Sequence, residues 1–193
     1  MATKQRAIEA ASSAFAERGV AATSLDDLAR ELGVTKQAVL YHFRSKDGLL
    51  AAVFSAGAAE LGATLAGAMD GPALGWPRVE AAVRAAFDLA VRRPELLGLL
   101  REVTRVGPPH SDAVLAELQP LIDRAVASLA DQMEAGVFRR ADPALLLVSV
   151  YAAVTGVVAD AGVLRAVGLD LDLRTAARLR RTVLDFLRAA LEP

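Results

Sequence analysis

The stretch TSLDDLARELGVTKQAVLYHFRSK, residues 23–46, predicts two short helices joined by a tight turn. Apolar residues recur at helical spacing after Ser24, whose hydroxyl can cap the first helix. Gly33 follows where helices commonly end on a left-handed residue, which glycine adopts at low cost. Thr35 can cap the second helix, and Val39 is its expected inward anchor. This layout is typical of a helix-turn-helix, whose second helix enters the major groove of DNA.

The same pattern is compatible with a second class of function. A capping serine, a glycine turn and an apolar stripe occur in any hairpin of two helices, whatever the hairpin binds. Two interpretations therefore follow from the pattern. The chain is either a DNA-binding protein or a helical adaptor that binds another protein through this hairpin.

The residues after the turn favour the first interpretation. The segment VTKQAVLYHFRSKDGLL, residues 34–50, resembles the DNA-binding signature of the TetR family of transcriptional repressors. In that signature a short recognition helix ends in an aromatic-His-Phe cluster, followed by Ser-Lys and a long helix. The matching residues are Tyr41, His42, Phe43, Ser45 and Lys46. The resemblance covers about residues 4 to 54. It implies an all-α fold with an N-terminal three-helix helix-turn-helix head and a C-terminal helical bundle for ligand binding and dimerisation.

The predicted DNA-binding residues surround the second helix of the hairpin. They are Ser24, Thr35, Lys36, Gln37, Tyr41, His42 and Lys46. Gln37 can pair bidentately with adenine and Lys36 can approach guanine, since both lie at the start of the recognition helix. The resemblance implies that Lys46 and the backbone amides beside it contact phosphate. Tyr41 and His42, which close the recognition helix, are expected near the DNA backbone.

The remainder of the chain is predicted to be helical. We expect about nine helices, at residues 4–18, 25–32, 36–43, 45–69, 78–92, 95–105, 111–136, 143–166 and 172–191. Pro120 should kink or split the seventh helix, because proline lacks a backbone donor. The resemblance divides the chain into a DNA-binding domain, 1–48, and a ligand-binding and dimerisation domain, 49–193.

The chain is 54% hydrophobic, so it has either a large core or an apolar surface that a partner covers. Residues 143–159 carry no charge and reach the lower length limit of a membrane span. Asp142 and Asp160 flank them closely, so we expect a buried helix and no membrane partner. The last two helices suit a homodimer interface, as the resemblance also implies, although both could instead close the monomer's own core. Two symmetry-related heads could read a palindromic DNA operator.

The resemblance also implies a small-molecule effector, an inducer that binds among the central helices. The candidate ligand-binding residues are Phe54, Trp76, Phe87, Met133 and Tyr151. All five are large and could face inward, although such residues at helical spacing are more often ordinary core. Trp76 is expected in a loop, where the alternative role is a surface anchor. His110, after two prolines, is expected to face solvent.

Catalysis is not expected. The chain has no cysteine, its two histidines lie far apart in sequence, and it contains no HExxH, GxSxG or P-loop motif. No cofactor is expected beyond the unknown inducer. The absence of cysteine and of an apolar signal-peptide core in MATKQRAIEA fits a cytoplasmic protein. The sequence therefore predicts a ligand-responsive, homodimeric, DNA-binding transcriptional repressor.

Overall fold

The computed structural model describes residues 2–70, 74–159, 161–170 and 172–192. These residues form ten helices and no strand, which confirms the predicted all-α class. The helices are α1 (Ala2–Arg18), α2 (Leu25–Leu32), α3 (Lys36–Phe43), α4 (Lys46–Met69), α5 (Trp76–Arg92), α6 (Glu95–Val106), α7 (His110–Glu134), α8 (Pro143–Ala159), α9 (Ala161–Ala166) and α10 (Leu173–Leu191). One helix was predicted over residues 143–166. The structure describes α8 and α9 on either side of residue 160, which lies outside the described residues.

The chain packs as two compact units. The first comprises Met1–Glu60 and Arg93–Leu118, and the second comprises Leu61–Arg92 and Gln119–Pro193. These units are defined by packing, whereas the division expected between residues 48 and 49 separates two functions. The functional division therefore stays a prediction.

In the first unit, α1 packs closely against α6. A Cβ atom on Gly98 would lie 2.5 Å from the Cβ of Ala16, so only glycine allows this crossing. Glu102 of α6 accepts a 2.8 Å hydrogen bond from the backbone N–H of Val20, which follows α1. A hydrogen bond from Arg105 holds the pKa of Glu102 below its usual value. The α6 helix is thus fastened to the same core as the predicted DNA-binding hairpin.

In the second unit, α5 packs against α8 and α10. One apolar cluster joins α5 to α10 through Phe87 and Leu187, both of which are buried. A second cluster contains Met133 of α7, Phe138 and Leu191. The backbone N–H of Arg139 donates a 2.8 Å hydrogen bond to the carbonyl of Leu191, which fixes the end of α10.

The proline inside α7 does not interrupt the helix. α7 runs without a break from His110 to Glu134, so Pro120 does not split it, and a kink at Pro120 stays a prediction. Proline removes the donor that would reach the carbonyl of Ala116. Both residues are exposed, so water can satisfy that carbonyl.

Among the described residues, α4 is the helix that is long and apolar enough to cross a membrane. The uncharged residues 143–159 form the shorter helix α8. The prediction that this helix is buried is wrong, because Leu145, Val148 and Tyr151 are more than half exposed. The length and composition of α4 are weak evidence for a membrane span, because a core helix of a water-soluble domain can share them. The first half of α4 does pack as a core helix, since Leu49, Leu50, Val53 and Phe54 are buried in the first unit.

We predict that Gly48→Ala destabilises the protein by about 1–3 kcal/mol through overpacking. A Cβ atom on Gly48 would lie 2.1 Å from the carbonyl oxygen of Phe43, and that backbone atom cannot rotate away. Thermal unfolding followed by circular dichroism would measure the change. The matched control is Gly67→Ala in the same helix, where a Cβ meets no atom within 4 Å. It should stabilise by about 0.5–1 kcal/mol through helix propensity. Equal shifts in the two variants would contradict the packing argument.

Candidate nucleic-acid interface

The turn between α2 and α3 is fixed by a left-handed glycine. Gly33 has φ 67° and ψ 32°. Its N–H bonds to the carbonyl of Arg30 at 3.2 Å, and the N–H of Val34 bonds to the carbonyl of Ala29 at 3.0 Å. This pair of bonds is the Schellman motif, which satisfies carbonyls at the end of a helix. Val34 then packs against the apolar core of the first unit, hereafter the first core. The predicted turn at Gly33 is confirmed.

The start of α2 is capped as the sequence predicts. Ser24 Oγ accepts a 3.1 Å hydrogen bond from the N–H of Asp27 and donates a 2.6 Å bond to its Oδ2. Arg30 donates to Asp27 Oδ1 at 2.9 Å. The bond from Ser24, and then that from Arg30, keep the pKa of Asp27 below its usual value. The Ser24 hydroxyl thus has a structural role, and its contact with DNA stays a prediction.

The helix α3 presents two different faces. Val39 and Phe43 are buried in the first core. On the opposite side Gln37 and Tyr41 are exposed, Tyr41 to 84%. Thr35 is also exposed, and its Oγ1 accepts a 3.2 Å hydrogen bond from the N–H of Ala38, which confirms the predicted cap. An exposed large aromatic ring on a helix that is anchored from behind is available for contact with another molecule.

Lys36 is exposed but paired. Its Nζ atom lies 2.8 Å from Oδ2 of Asp26 in α2. Sequence reasoning did not find this pair, because the residues are ten positions apart on different helices. An exposed ion pair contributes about 0–1 kcal/mol, so a phosphate or a base edge can compete for the lysine. The structure therefore places Lys36 where predicted, with its charge partly offset.

The end of α3 meets the start of α4 in a compact cluster. The ring of His42 is partly buried and makes edge contacts with the rings of Tyr41, at 5.3 Å, and Phe43, at 6.2 Å. Ser45 caps α4, since its Oγ accepts a 2.9 Å hydrogen bond from the N–H of Gly48. Lys46 is the first residue of α4 and is partly buried. The predicted site residues on α3 and the Lys46 position are thus brought onto one connected segment of the surface.

Sequence reasoning missed Arg44, which lies between the two helices. Its side chain is exposed and its φ is 65°, a value that side-chain-bearing residues rarely adopt. Arg44 can be recognised in the sequence as a basic residue two positions before Lys46. Its backbone conformation cannot be recognised there, since it depends on how α3 and α4 meet.

His110 does not face solvent as expected. It is the first residue of α7 and is only 8% exposed. Its Nε2 atom lies 2.8 Å from Oδ1 of Asp47, and its ring meets the ring of Phe54 edge-on at 5.8 Å. The expectation assumed that the two prolines end in an open loop, whereas they lead directly into a helix packed on α4. His110 therefore holds the first turn of α4, next to Lys46.

The five predicted ligand-binding residues are divided among different clusters. Phe54 is buried in the core of the first unit. Phe87 and Met133 are buried in two separate clusters of the second unit. Phe87 also lines an open groove of about 360 Å³ between α5 and α10, beside the 2.8 Å ion pair of Arg180 with Asp88. Their role as ligand contacts stays a prediction.

Two of these five residues differ from expectation in their placement. Trp76 is the first residue of α5 rather than part of a loop. It packs against both clusters of the second unit, and the guanidinium of Arg188 lies 5.8 Å from its ring centroid. Tyr151 is 54% exposed on α8, so the expectation that it faces inward is wrong. It lies on the side of α8 that faces away from the packing against α5 and α10.

The described chain is all-α, and α2 and α3 form a hairpin around the left-handed Gly33, with one side of α3 exposed. This arrangement is the architecture of a helix-turn-helix DNA-binding domain. Residues 7–53 match the family model of bacterial regulatory proteins, tetR family. The chain is 32% identical over 147 residues to the HTH-type transcriptional repressor SCO4008 of Streptomyces coelicolor, a match that covers 74% of this chain and 71% of that protein. The chain therefore belongs to the TetR family of bacterial regulatory proteins. That family consists of DNA-binding transcriptional regulators rather than enzymes.

Solved structures agree with this fold. The ketosteroid transcriptional regulator KstR2 of Mycobacterium tuberculosis superposes with a TM-score of 0.79 at 20% identity, over 99% of this chain and 95% of that one. AibR, in complex with isovaleryl coenzyme A and operator DNA, superposes with a TM-score of 0.77 at 20% identity, over 95% and 97% of the two chains. At these identities the likeness establishes the shared fold. The predicted family and architecture are confirmed.

We predict that Asp26→Asn strengthens DNA binding by about two- to fivefold at low salt, the size of one exposed ion pair. The substitution frees Lys36 and removes a carboxylate that would repel phosphate. Fluorescence anisotropy with labelled duplex would measure it, and the gain should shrink as salt rises. Glu17→Gln, an exposed residue of α1, is the control for lost negative charge. If Asp26→Asn binds DNA no more tightly than the wild-type protein does, Lys36 does not face DNA.

Proposed function

We propose that this protein is a ligand-responsive transcriptional repressor that acts in the cytoplasm as a homodimer on a palindromic operator. The observation that carries the proposal is the exposed face of α3, with Gln37 and Tyr41 outward while Val39 and Phe43 anchor the helix from behind. A helix presented in this way fits the major groove, which is wide enough to admit it. The family membership of the chain supports the same assignment.

The proposed roles follow from position along the segment. Lys36 and Gln37 lie at the N-terminal end of α3, the part of a recognition helix that reaches base edges. Lys46 lies in the first turn of α4, where backbone N–H groups and the lysine charge together favour a phosphate. Tyr41 and His42 lie at the other end of α3, where contacts fall on the DNA backbone. Thr35 and Ser24 are polar groups at the two helix starts that face the same duplex.

An uncharged face of α8 supports the homodimer. Leu145, Val148 and Tyr151 recur at helical spacing on α8 and are all more than half exposed. On α10, which packs against α8, Phe186 is 65% exposed. Exposed apolar side chains that share one face of a helix, as the three on α8 do, mark a surface that a partner covers. A second copy of the chain is the occupant that a palindromic operator requires, because two-fold symmetry in the protein matches two-fold symmetry in the DNA.

The proposed response to a small molecule rests on a neighbour and on thermodynamics. AibR is a structural neighbour whose structure contains both isovaleryl coenzyme A and operator DNA. An effector releases DNA only if it binds the DNA-free conformation more tightly than the DNA-bound one. An apolar effector is our expectation, given the aromatic and aliphatic side chains of the second unit. No further cofactor is proposed.

The function is tested by selecting duplexes from random DNA with the purified protein and titrating the enriched sequence. We predict that Gln37→Ala weakens binding by about 1–3 kcal/mol and relaxes specificity at one base position. Lys46→Ala should weaken all sequences alike and reduce the salt dependence of log K. Gln119→Ala, on α7 in the second unit, is the control. If Gln37→Ala and Lys46→Ala both bind as the wild type does, these roles are wrong. Indifference of the wild-type protein to DNA at every salt concentration would favour the helical adaptor.

The dimer is tested by placing a charge on the uncharged face. We predict that Val148→Glu converts the protein to a monomer at micromolar concentration, because the carboxylate would be buried without a partner. Sedimentation equilibrium would report the mass, and Ala116→Glu on an exposed part of α7 is the control. A wild-type monomer, or a Val148→Glu dimer of undiminished affinity, would refute the proposed interface.

A further inference from the structure

We propose that Arg44 contacts a DNA phosphate, and that this contact is the reason why an arginine occupies a backbone conformation that favours glycine. The arginine would then lower the stability of the fold and raise its affinity for DNA. The proposal rests on the proposed function, since it needs the chain to bind a duplex. It adds a contact residue that the sequence pattern did not select.

The backbone at Arg44 is strained. Its φ is 65° and its ψ is −37°. The N–H of Ser45 bonds to the carbonyl of Phe43 at 2.7 Å, which closes a three-residue γ-turn with Arg44 at its centre. The form of this turn with positive φ is rare, because the Cβ atom crowds the backbone. Among the described residues, every other positive φ belongs to a glycine.

Packing on both sides prevents this turn from relaxing. Before the turn, Phe43 is buried in the first core. After it, Ser45 caps α4 and the Cα of Gly48 packs against the carbonyl of Phe43. The backbone N–H of Arg44 also bonds to the carbonyl of Leu40 at 2.7 Å, which ends α3. Because these neighbours fix the conformation, glycine would fit it with less strain than arginine.

The side chain of Arg44 suits a phosphate. It is exposed, and no carboxylate among the described residues pairs with it, in contrast to Lys36 with its partner Asp26. It follows the end of α3 that lies nearest the DNA backbone in the proposed arrangement, and it precedes the proposed phosphate contact Lys46 by two residues. A guanidinium can donate two parallel hydrogen bonds to one phosphate, which a lysine cannot do. An arginine at a glycine-favouring position is therefore explained by a charge contact rather than by folding.

The test compares Arg44→Gly with Arg44→Lys in the full-length protein. The readouts are thermal unfolding without DNA and the salt dependence of binding to the selected duplex.

We expect Arg44→Gly to raise the unfolding midpoint by about 2–4 °C, as the strain is released. Its affinity should fall about tenfold at moderate salt, and the slope of log K against log salt should become shallower by about 1 for each phosphate that the variant no longer neutralises. Arg44→Lys should keep the wild-type midpoint and slope, and lose part of the affinity. Arg174→Ala, an exposed arginine of α10, controls for the loss of one positive charge.

Each failure has its own meaning. A lower unfolding midpoint in Arg44→Gly would refute the strain. Unchanged affinity and slope in Arg44→Gly, with the wild-type protein bound to its duplex, would refute the phosphate contact alone. A wild-type protein that binds no duplex would overturn the proposed function and, with it, this contact.

Discussion

The left-handed backbone at Gly33 is the constraint on which the DNA-reading surface depends. It allows the last carbonyls of α2 to be satisfied within two residues, so only three residues separate the end of α2 from the start of α3. The turn returns Val34 to the core and leaves Thr35 free to cap α3. The first residue of α3 therefore has a fixed position and direction. Everything proposed for Lys36 and Gln37 follows from that placement.

The other end of α3 is held just as firmly, although by packing rather than by a turn signal. Phe43 is buried, and Gly48 of α4 lies against its carbonyl. Asp47 in the same turn of α4 is held by His110 from the start of α7. Because α3 is anchored at both ends, its exposed side chains need little reorganisation to contact a duplex. This is the preorganisation that favours tight and specific binding.

The sequence predicted the features that local chemistry determines. Ser24 and Thr35 cap helices where their hydroxyls were expected to, and Gly33 ends α2. Each of these signals acts within four residues, so it can be recognised without a structure. The inward side of α3 was predictable for the same reason, since Val39 follows the cap at helical spacing.

Features that depend on distant parts of the chain could not be predicted. His110 is buried because α7 packs on α4, and nothing near it in sequence indicates this. Tyr151 is a large aromatic residue of a type that often lies in a core, but its side of α8 has no described neighbour to cover it. The ion pair of Lys36 with Asp26 needs two helices to cross at a particular place. In each case the missing information is which surfaces of two helices meet.

The most direct test of the account uses the chain's only three lysines, Lys4, Lys36 and Lys46. Their reactivity toward an acetylating reagent can be measured by mass spectrometry, with and without the selected duplex. The account predicts that DNA protects Lys36 and Lys46 strongly, because α3 and the start of α4 face the duplex. If Lys36 and Lys46 react equally fast in free and DNA-bound protein, α3 is not the element that reads DNA, and the central claim is wrong.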